Sequence, residues 1–138
     1  MTILCPIDFS AATEALVRYA ATLAAGTGGE LRLLHVLEPG PLPATNDVEL
    51  AQRLALHREA ALAAGARVTT AVTQGDAAAE IVAEARRHPA AMIVIGAHGQ
   101  TGLTRFLMGS TAETVVRTAP CVTLLVKPGC SQAYRQSA

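Results

Sequence analysis

Three glycines near residue 100 are spaced as in a ligand-binding loop, and this is the feature of the sequence most indicative of function. Gly96 and Gly99 are followed, after nine intervening residues, by Gly109 and Ser110. The apolar run 91–95 precedes the first glycine, and a helical pattern follows the serine. Glycine permits positive φ and lets a ligand approach the main chain, and a helix start offers unpaired N–H groups to a phosphate. The segment therefore predicts a strand–loop–helix unit that holds phosphate through backbone amides and hydroxyls.

This loop departs from two common phosphate-binding spacings. It is neither the dinucleotide-binding G-x-G-x-x-G nor the P-loop G-x-x-x-x-G-K-[ST], because no lysine follows Gly109. His98 lies inside the loop and Arg105 lies between the glycines. Either side chain could approach a phosphate, and an arginine would supply the charge of the missing lysine. A solvated surface side chain is the alternative interpretation of Arg105.

The spacing G-x2-G-x9-G-[ST] resembles the nucleotide-binding signature of the universal stress protein family. The segment 3–10 resembles the first strand of that family and its Asp-containing turn. Residues 34–36 resemble the end of its second strand, and residues 118–126 resemble its closing segment. The resemblance extends from Thr2 to Pro128.

The resemblance implies a site for ATP, with or without Mg²⁺. In ATP-binding members the aspartate that matches Asp8 contacts the nucleoside, Pro6 shapes the same turn, and the backbone at the position of Val36 reads adenine. Ser110 matches a phosphate contact. Together with the loop side chains, the predicted nucleotide-binding residues are Pro6, Ile7, Asp8, Val36, Ile95, Gly96, His98, Gly99, Arg105, Gly109, Ser110, Thr111 and Ala112.

Each of these predictions has a purely structural alternative. Asp8 could bond turn amides or cap a helix, as aspartate readily does, and Val36 could be an ordinary strand residue. The S-x-x-E pattern of Ser110 and Glu113 is a capping box. A capping box and a phosphate contact are compatible if ligand oxygens use the amides that the box leaves free.

Five apolar runs alternate with four helical patterns, which predicts a parallel α/β sheet with helices on both faces. The strand runs are residues 2–7, 31–37, 67–73, 91–96 and 121–127. The predicted N-caps are Ser10, Asn46, Asp76 and Ser110, and the predicted stops are Gly26, Gly65, His88–Pro89 and Pro120. The resemblance implies a single doubly wound five-stranded sheet of order 3-2-1-4-5, which is Rossmann-like and similar to adenine nucleotide alpha hydrolases. In that order the ligand crevice lies between strands 1 and 4. One domain, 1–128, precedes a polar tail, 129–138, which we expect to fray.

Composition excludes several classes of function. Eleven Lys and Arg balance eleven Asp and Glu, and aromatic residues make up only 3% of the chain, so neither a basic face nor a stacking platform for nucleic acid is present. No apolar run approaches the roughly 20 residues of a membrane span, and no basic n-region precedes the first strand. Cys5, Cys121 and Cys130 show no metal-type spacing. We expect a cytoplasmic protein, with Cys5 and Cys121 as small hydrophobic residues of strands.

The leading hypothesis is a stress-response module that binds ATP and acts through partner contacts. A slow ATP hydrolase on the same site and a dimeric scaffold without nucleotide remain as alternatives. A phospho-receiver domain would need an acidic pair after strand 1, where the sequence has Asp8 alone. The last strand, 121–127, is expected at a sheet edge and to pair with a second copy in a homodimer. Leu124→Pro is expected to remove one edge donor.

Overall fold

The computed structural model describes residues 1–39, 46–97 and 109–127. His98, Gly99, Arg105 and the tail 129–138 lie outside this part of the chain. The elements in chain order are β1 (Thr2–Pro6), α1 (Thr13–Thr27), β2 (Glu30–Leu37), α2 (Asp47–Ala63), β3 (Arg67–Gln74), α3 (Ala77–Arg87), β4 (Met92–Gly96), α4 (Ser110–Thr118) and β5 (Val122–Val126).

The five strands form one parallel sheet of order β3-β2-β1-β4-β5, which confirms the predicted topology. Alternate residues of β2 enter the two cores: Leu33 packs with α1 and α2, and Leu34 packs with α3 and α4. We call these the α1–α2 face and the α3–α4 face. Because the chain winds in opposite directions from β1, the carboxyl ends of β1 and β4 flank the point where the winding reverses.

The alanine content has a packing role in α1. Ala20, Ala21 and Ala24 are all completely buried against the sheet, and their small side chains let the helix lie close to it. Cys5 is buried in the same core, and burial raises the pKa of its thiol to about 12. The prediction that this cysteine is a buried hydrophobic residue is therefore confirmed.

Two of the four predicted N-caps are confirmed. Asn46 Oδ1 accepts from the N–H of Glu49 at 2.7 Å, and Asp76 Oδ2 accepts from the N–H of Ala79 at 3.0 Å. Each bond satisfies one of the donors that a helix start leaves without an intrahelical partner.

The predicted limits of α1 are wrong by about two residues at each end. The helix begins at Thr13, after a turn in which Ser10 C=O accepts from Thr13 N–H at 3.0 Å, so Ser10 is not its N-cap. At the other end Gly28, with φ of 71°, is the C-cap, and Gly26 lies inside the helix. Glycine accepts this left-handed conformation without steric cost, and two glycines so close together cannot be distinguished by sequence alone.

The predicted capping box of α4 is also wrong. Gly109 is the N-cap, Ser110 is the first helical residue, and no side chain in the described part of the chain caps this helix. The predicted end before Pro120 is confirmed, since α4 stops at Thr118. Among the described helices, none has both the length and the apolar character required to cross a bilayer.

Candidate functional site

The backbone pairing between β1 and β4 stops well before the carboxyl end of β1. β1 pairs with β2 at five positions, ending at Pro6↔Leu34, but it pairs with β4 at only two, Ile3↔Met92 and Leu4↔Ile93. β4 instead stays with β5 as far as Gly96↔Val126. The two strands therefore separate at the winding reversal, and we call the space between their carboxyl ends the crevice.

Pro6 explains why the pairing of β1 with β4 stops. Thr2 C=O accepts from Ala91 N–H at 2.9 Å, and alternate residues of a strand face the same neighbour, so residue 6 also faces β4. A third paired position, between Cys5 and Val94, would need an N–H from residue 6. Proline has none. The crevice thus begins at Pro6, which has no backbone N–H to donate to β4.

Asp8 lies at the β1 wall of the crevice and organises the turn into α1. Its Oδ1 accepts from the N–H of Ser10 at 2.9 Å and from the hydroxyl of Thr13 at 3.2 Å. Thr13 is only 1% exposed, so this turn is anchored in the core. The structural alternative for Asp8, a carboxylate that bonds turn groups, is therefore present in the fold; a contact with ligand stays a prediction.

Val36 presents backbone groups to the crevice side of β2. Leu34 C=O accepts from Ile7 N–H at 2.8 Å, which shows that even-numbered residues of this strand face β1. Val36 lies two residues further along, beyond the last β1–β2 pair. Its N–H and C=O consequently point past the end of the β1 ladder.

On the α4 side of the crevice, two backbone hydrogen bonds of Ala97 connect the end of β4 to β5 and to the start of α4. Ala97 N–H donates to Val126 C=O at 3.0 Å, and Ala97 C=O accepts from Gly109 N–H at 2.8 Å. These bonds hold the start of α4 at the end of β4. Gly109 has φ of −60° and ψ of 154°, a conformation open to any residue. Positive φ is therefore not the reason for glycine here.

Within the described residues, no side chain caps the first amides of α4. Glu113 N–H donates to Gly109 C=O at 3.0 Å, which makes it the first N–H bonded within the helix. The N–H groups of Ser110, Thr111 and Ala112 precede it and have no intrahelical acceptor. Such a terminus also carries the positive end of the helix dipole and favours an anion.

Ten of the thirteen predicted site residues therefore come together at the carboxyl edge of the sheet, from the ends of three strands and the start of α4. The other three, His98, Gly99 and Arg105, lie outside the described residues. In the described part of the chain, no group of three or more His, Cys, Asp or Glu is arranged to hold a metal ion.

Sequence reasoning missed a ring cluster beside the crevice. Phe9 has φ of 58°, and its ring lies 4.5 Å from that of His35 and 5.8 Å from that of His57, measured between centroids. The Arg53 guanidinium lies 5.7 Å from the Phe9 centroid. Burial lowers the pKa of His57, although the negative charge of Glu14 opposes that effect. The histidines are far apart in sequence, so only the fold reveals the cluster.

An open cleft of about 510 Å³ borders this cluster on the α1–α2 face. Its lining residues are Phe9, Glu14, Arg53, Leu56, His57 and Ala60. None of the ten predicted nucleotide-binding residues in the described ranges lines it. Among the described residues, the cleft therefore lies next to the crevice at Phe9 and has a different lining.

Comparison with known proteins agrees with this architecture. The model of the universal stress protein family matches residues 1–127, and the chain belongs to that family. A universal stress protein of Methanocaldococcus jannaschii is 34% identical over 137 residues, which cover 91% of this chain and 81% of the relative.

Solved structures of the family share the fold. A universal stress protein of Archaeoglobus fulgidus in complex with dAMP has a TM-score of 0.74 at 26% identity, covering 92% of this chain and 98% of the other. A universal stress protein in complex with cAMP has a TM-score of 0.76 at 21% identity, covering 91% and 96%. The chain thus has the fold of adenine nucleotide alpha hydrolase-like proteins.

Proposed function

We propose that this chain binds an adenine nucleotide, ATP in preference, in the crevice between Asp8 and the start of α4. The observation that carries the proposal is the helix start headed by Gly109, which no described side chain caps and which lies at the winding reversal of the sheet. A nine-residue helix with three amides that lack an intrahelical acceptor, and with no capping side chain among the described residues, favours an anion at that point.

Phosphate would lie at this helix start. The amides of Ser110, Thr111 and Ala112 supply donors, and the absent side chain of Gly109 supplies room for the close approach. Ser110 and Thr111 add two hydroxyls beside the same amides. These are the donors that a site without a P-loop lysine requires.

The nucleoside would occupy the opposite part of the crevice. The outward N–H and C=O of Val36 offer one donor and one acceptor to the edge of a base, and the Asp8 carboxylate lies at the neighbouring strand end. Complexes of the A. fulgidus relative with dAMP and of another family member with cAMP support an adenine nucleotide as the ligand class.

Calorimetric titration of the purified chain with ATP, with and without Mg²⁺, tests this proposal. We expect saturable binding, stronger for ATP than for AMP, and a rise in melting temperature. Gly109→Val should weaken ATP binding at least tenfold by crowding the amides. Gly26→Val is the matched control, because a Cβ at Gly26 meets nothing within 4 Å. Absence of both heat and thermal shift at millimolar ATP would overturn the proposal.

We infer that binding, rather than turnover, is the function of the site. Phosphoryl transfer needs an oriented nucleophile and charge stabilisation, and Asp8 Oδ1 already accepts two hydrogen bonds within its own turn. A steady-state phosphate-release assay decides between a binding module and the alternative of a slow ATP hydrolase. Slow release that Gly109→Val abolishes would identify the slow hydrolase, and release at rates of about 1–1000 per second would identify an ordinary enzyme.

We further propose that the chain acts in the cytoplasm as a homodimer in a stress response. β5 is the last strand of the described sheet, and Val122 at its start is 63% exposed. An unpaired apolar edge favours association, and antiparallel pairing of residues 121–127 with a second copy would cover it by two-fold symmetry. A protein partner of the dimer is part of this proposal.

A further inference from the structure

One imidazole joins the two strand ends that form the nucleoside part of the crevice. His35 precedes Val36 on β2, and its Nδ1 lies 2.9 Å from the C=O of Ile7, the residue before Asp8. A carbonyl only accepts, so Nδ1 carries the proton and donates. This bond lies just beyond the last backbone pair of β1 with β2. There the C=O of Ile7 accepts from the His35 side chain instead of from a backbone N–H of β2.

The same ring also supports the residue after Asp8. Phe9 has φ of 58°, a left-handed conformation that bulky residues rarely adopt. Its ring centroid lies 4.5 Å from that of His35 and 5.8 Å from that of His57. The chain reversal at Phe9 brings the N–H of Ser10 back to Asp8 Oδ1. The geometry of the Asp8 turn therefore depends on a strained residue that two imidazoles hold in place.

We propose that His35 is a positioning residue of the nucleotide site, which sets the Asp8 turn relative to the Val36 backbone. It holds the residue before Asp8 by a hydrogen bond and the residue after it by ring packing. The inference rests on the proposed function, since its effect is read as nucleotide affinity. In this role His35 acts only through Asp8 and the end of β2, without contact with the nucleoside.

Substitution of His35 by asparagine or glutamine can test which of the two ring nitrogens matters. Asparagine places an amide donor near the position of Nδ1, whereas glutamine places its amide nearer the position of Nε2. His35→Asn should therefore keep the bond to Ile7, and His35→Gln and His35→Ala should lose it. His88, exposed at the end of α3, provides the matched control substitution His88→Ala.

We expect His35→Ala to weaken ATP binding about tenfold, the equivalent of one hydrogen bond. His35→Asn should recover most of the loss, His35→Gln should not, and His88→Ala should bind as the wild type does. In a double-mutant cycle, His35→Ala should change affinity less than about twofold when Asp8 is already alanine. A purely structural role for His35 would give neither the Asn–Gln difference nor this coupling.

The outcomes separate this inference from the proposed function. Wild-type binding with equal affinities for the Asn and Gln variants, or with additive effects of Asp8→Ala and His35→Ala, overturns the positioning role and leaves the nucleotide site intact. Wild-type protein that binds no adenine nucleotide overturns both. If either alanine variant fails to fold by circular dichroism, the comparison of the Asn and Gln variants decides.

Discussion

Arg32 Nε donates to Glu84 Oε2 at 2.6 Å, across the interface between β2 and α3. The side chains are 16% and 3% exposed, and Arg87 completes the group with a 2.8 Å contact to Glu84 Oε1. Arg32 also donates to Thr69 on β3 at 3.2 Å. This ion-pair network fixes α3 on the sheet towards the edge opposite the crevice. It can therefore be perturbed without touching the candidate site.

Arg32→Met should lower the free energy of unfolding by about 3 kcal/mol, because it leaves a buried carboxylate with only a half-exposed partner. The double variant Arg32→Met, Glu84→Leu should recover most of that loss, since a hydrophobic pair needs no compensating charge. Urea unfolding at neutral pH measures both. A single variant as stable as the wild type would contradict this account of the ion pair.

The same network makes stability depend on acid pH. Burial alone would raise the pKa of Glu84, but the hydrogen bonds and positive charges of Arg87 and Arg32 outweigh it and hold that pKa below the ordinary value of 4.5. The unfolded chain then binds more protons than the folded one as pH falls below that value. The contribution of Glu84 is complete above pH 4.5 and is lost as pH falls through the folded pKa. Glu84→Gln should lose less stability than the wild type does over this acidic range.

Pro6→Ala should have opposite effects on stability and on binding. Alanine restores the N–H that a third β1–β4 pair needs, so the ladder can extend and the crevice narrows. We expect unchanged or higher resistance to urea together with ATP binding at least several-fold weaker. Calorimetry and unfolding on the same preparation provide the comparison. Unaltered affinity would mean that the missing donor at residue 6 does not shape the site.

Gly109→Asp should stabilise α4 while it weakens ATP binding. Aspartate is a good N-cap and interacts favourably with the helix dipole, a gain of about 0.5–1 kcal/mol, and φ of −60° permits the change. Its carboxylate would occupy the amides proposed for phosphate and repel the anion. Gly109→Ser, a neutral cap, should show smaller changes in both directions. Loss of stability in both variants would argue against an uncapped helix start.

The edge of β5 offers a test of the dimer, and the structure corrects the choice of variant. Val126 C=O bonds to β4 through Ala97 N–H, so Leu124 also faces β4 and is not an edge donor as predicted. The N–H groups of Thr123 and Leu125 are the ones that face outward in β5. Thr123→Pro should give a folded monomer by light scattering, whereas Leu124→Pro should destabilise the fold. A wild-type monomer at tens of micromolar would refute the dimer, and a dimeric Thr123→Pro would refute this interface.

The sequence predicted the strands and helices well because their signals are local, whereas the strand order followed from the family resemblance. Apolar runs marked all five strands, and Asn46 and Asp76 are caps whose partners lie three residues away. Two of the predictions that failed, or were never made, depend on tertiary contacts. Nothing local indicates that Phe9 adopts positive φ, since His35 and His57 arrive from other elements. The side of the strand that Leu124 faces depends on register, which a sequence pattern does not contain.

Because β1 pairs with β4 at only two positions, we expect the β4–β5 part of the sheet to fold as a unit separate from β1, β2 and β3. Residues 1–74 contain three adjacent strands with pairings between sequence neighbours, whereas Leu4 must find Ile93 across most of the chain. Bringing β1 and β4 together closes a loop of about 90 residues, which costs conformational entropy. Only two paired positions, Ile3↔Met92 and Leu4↔Ile93, offset this cost directly. The β4–β5 part is then expected to dock late and to open first in hydrogen exchange. A ligand bound in the crevice would contact both parts of the sheet and would therefore slow the hydrogen exchange of β4 and β5.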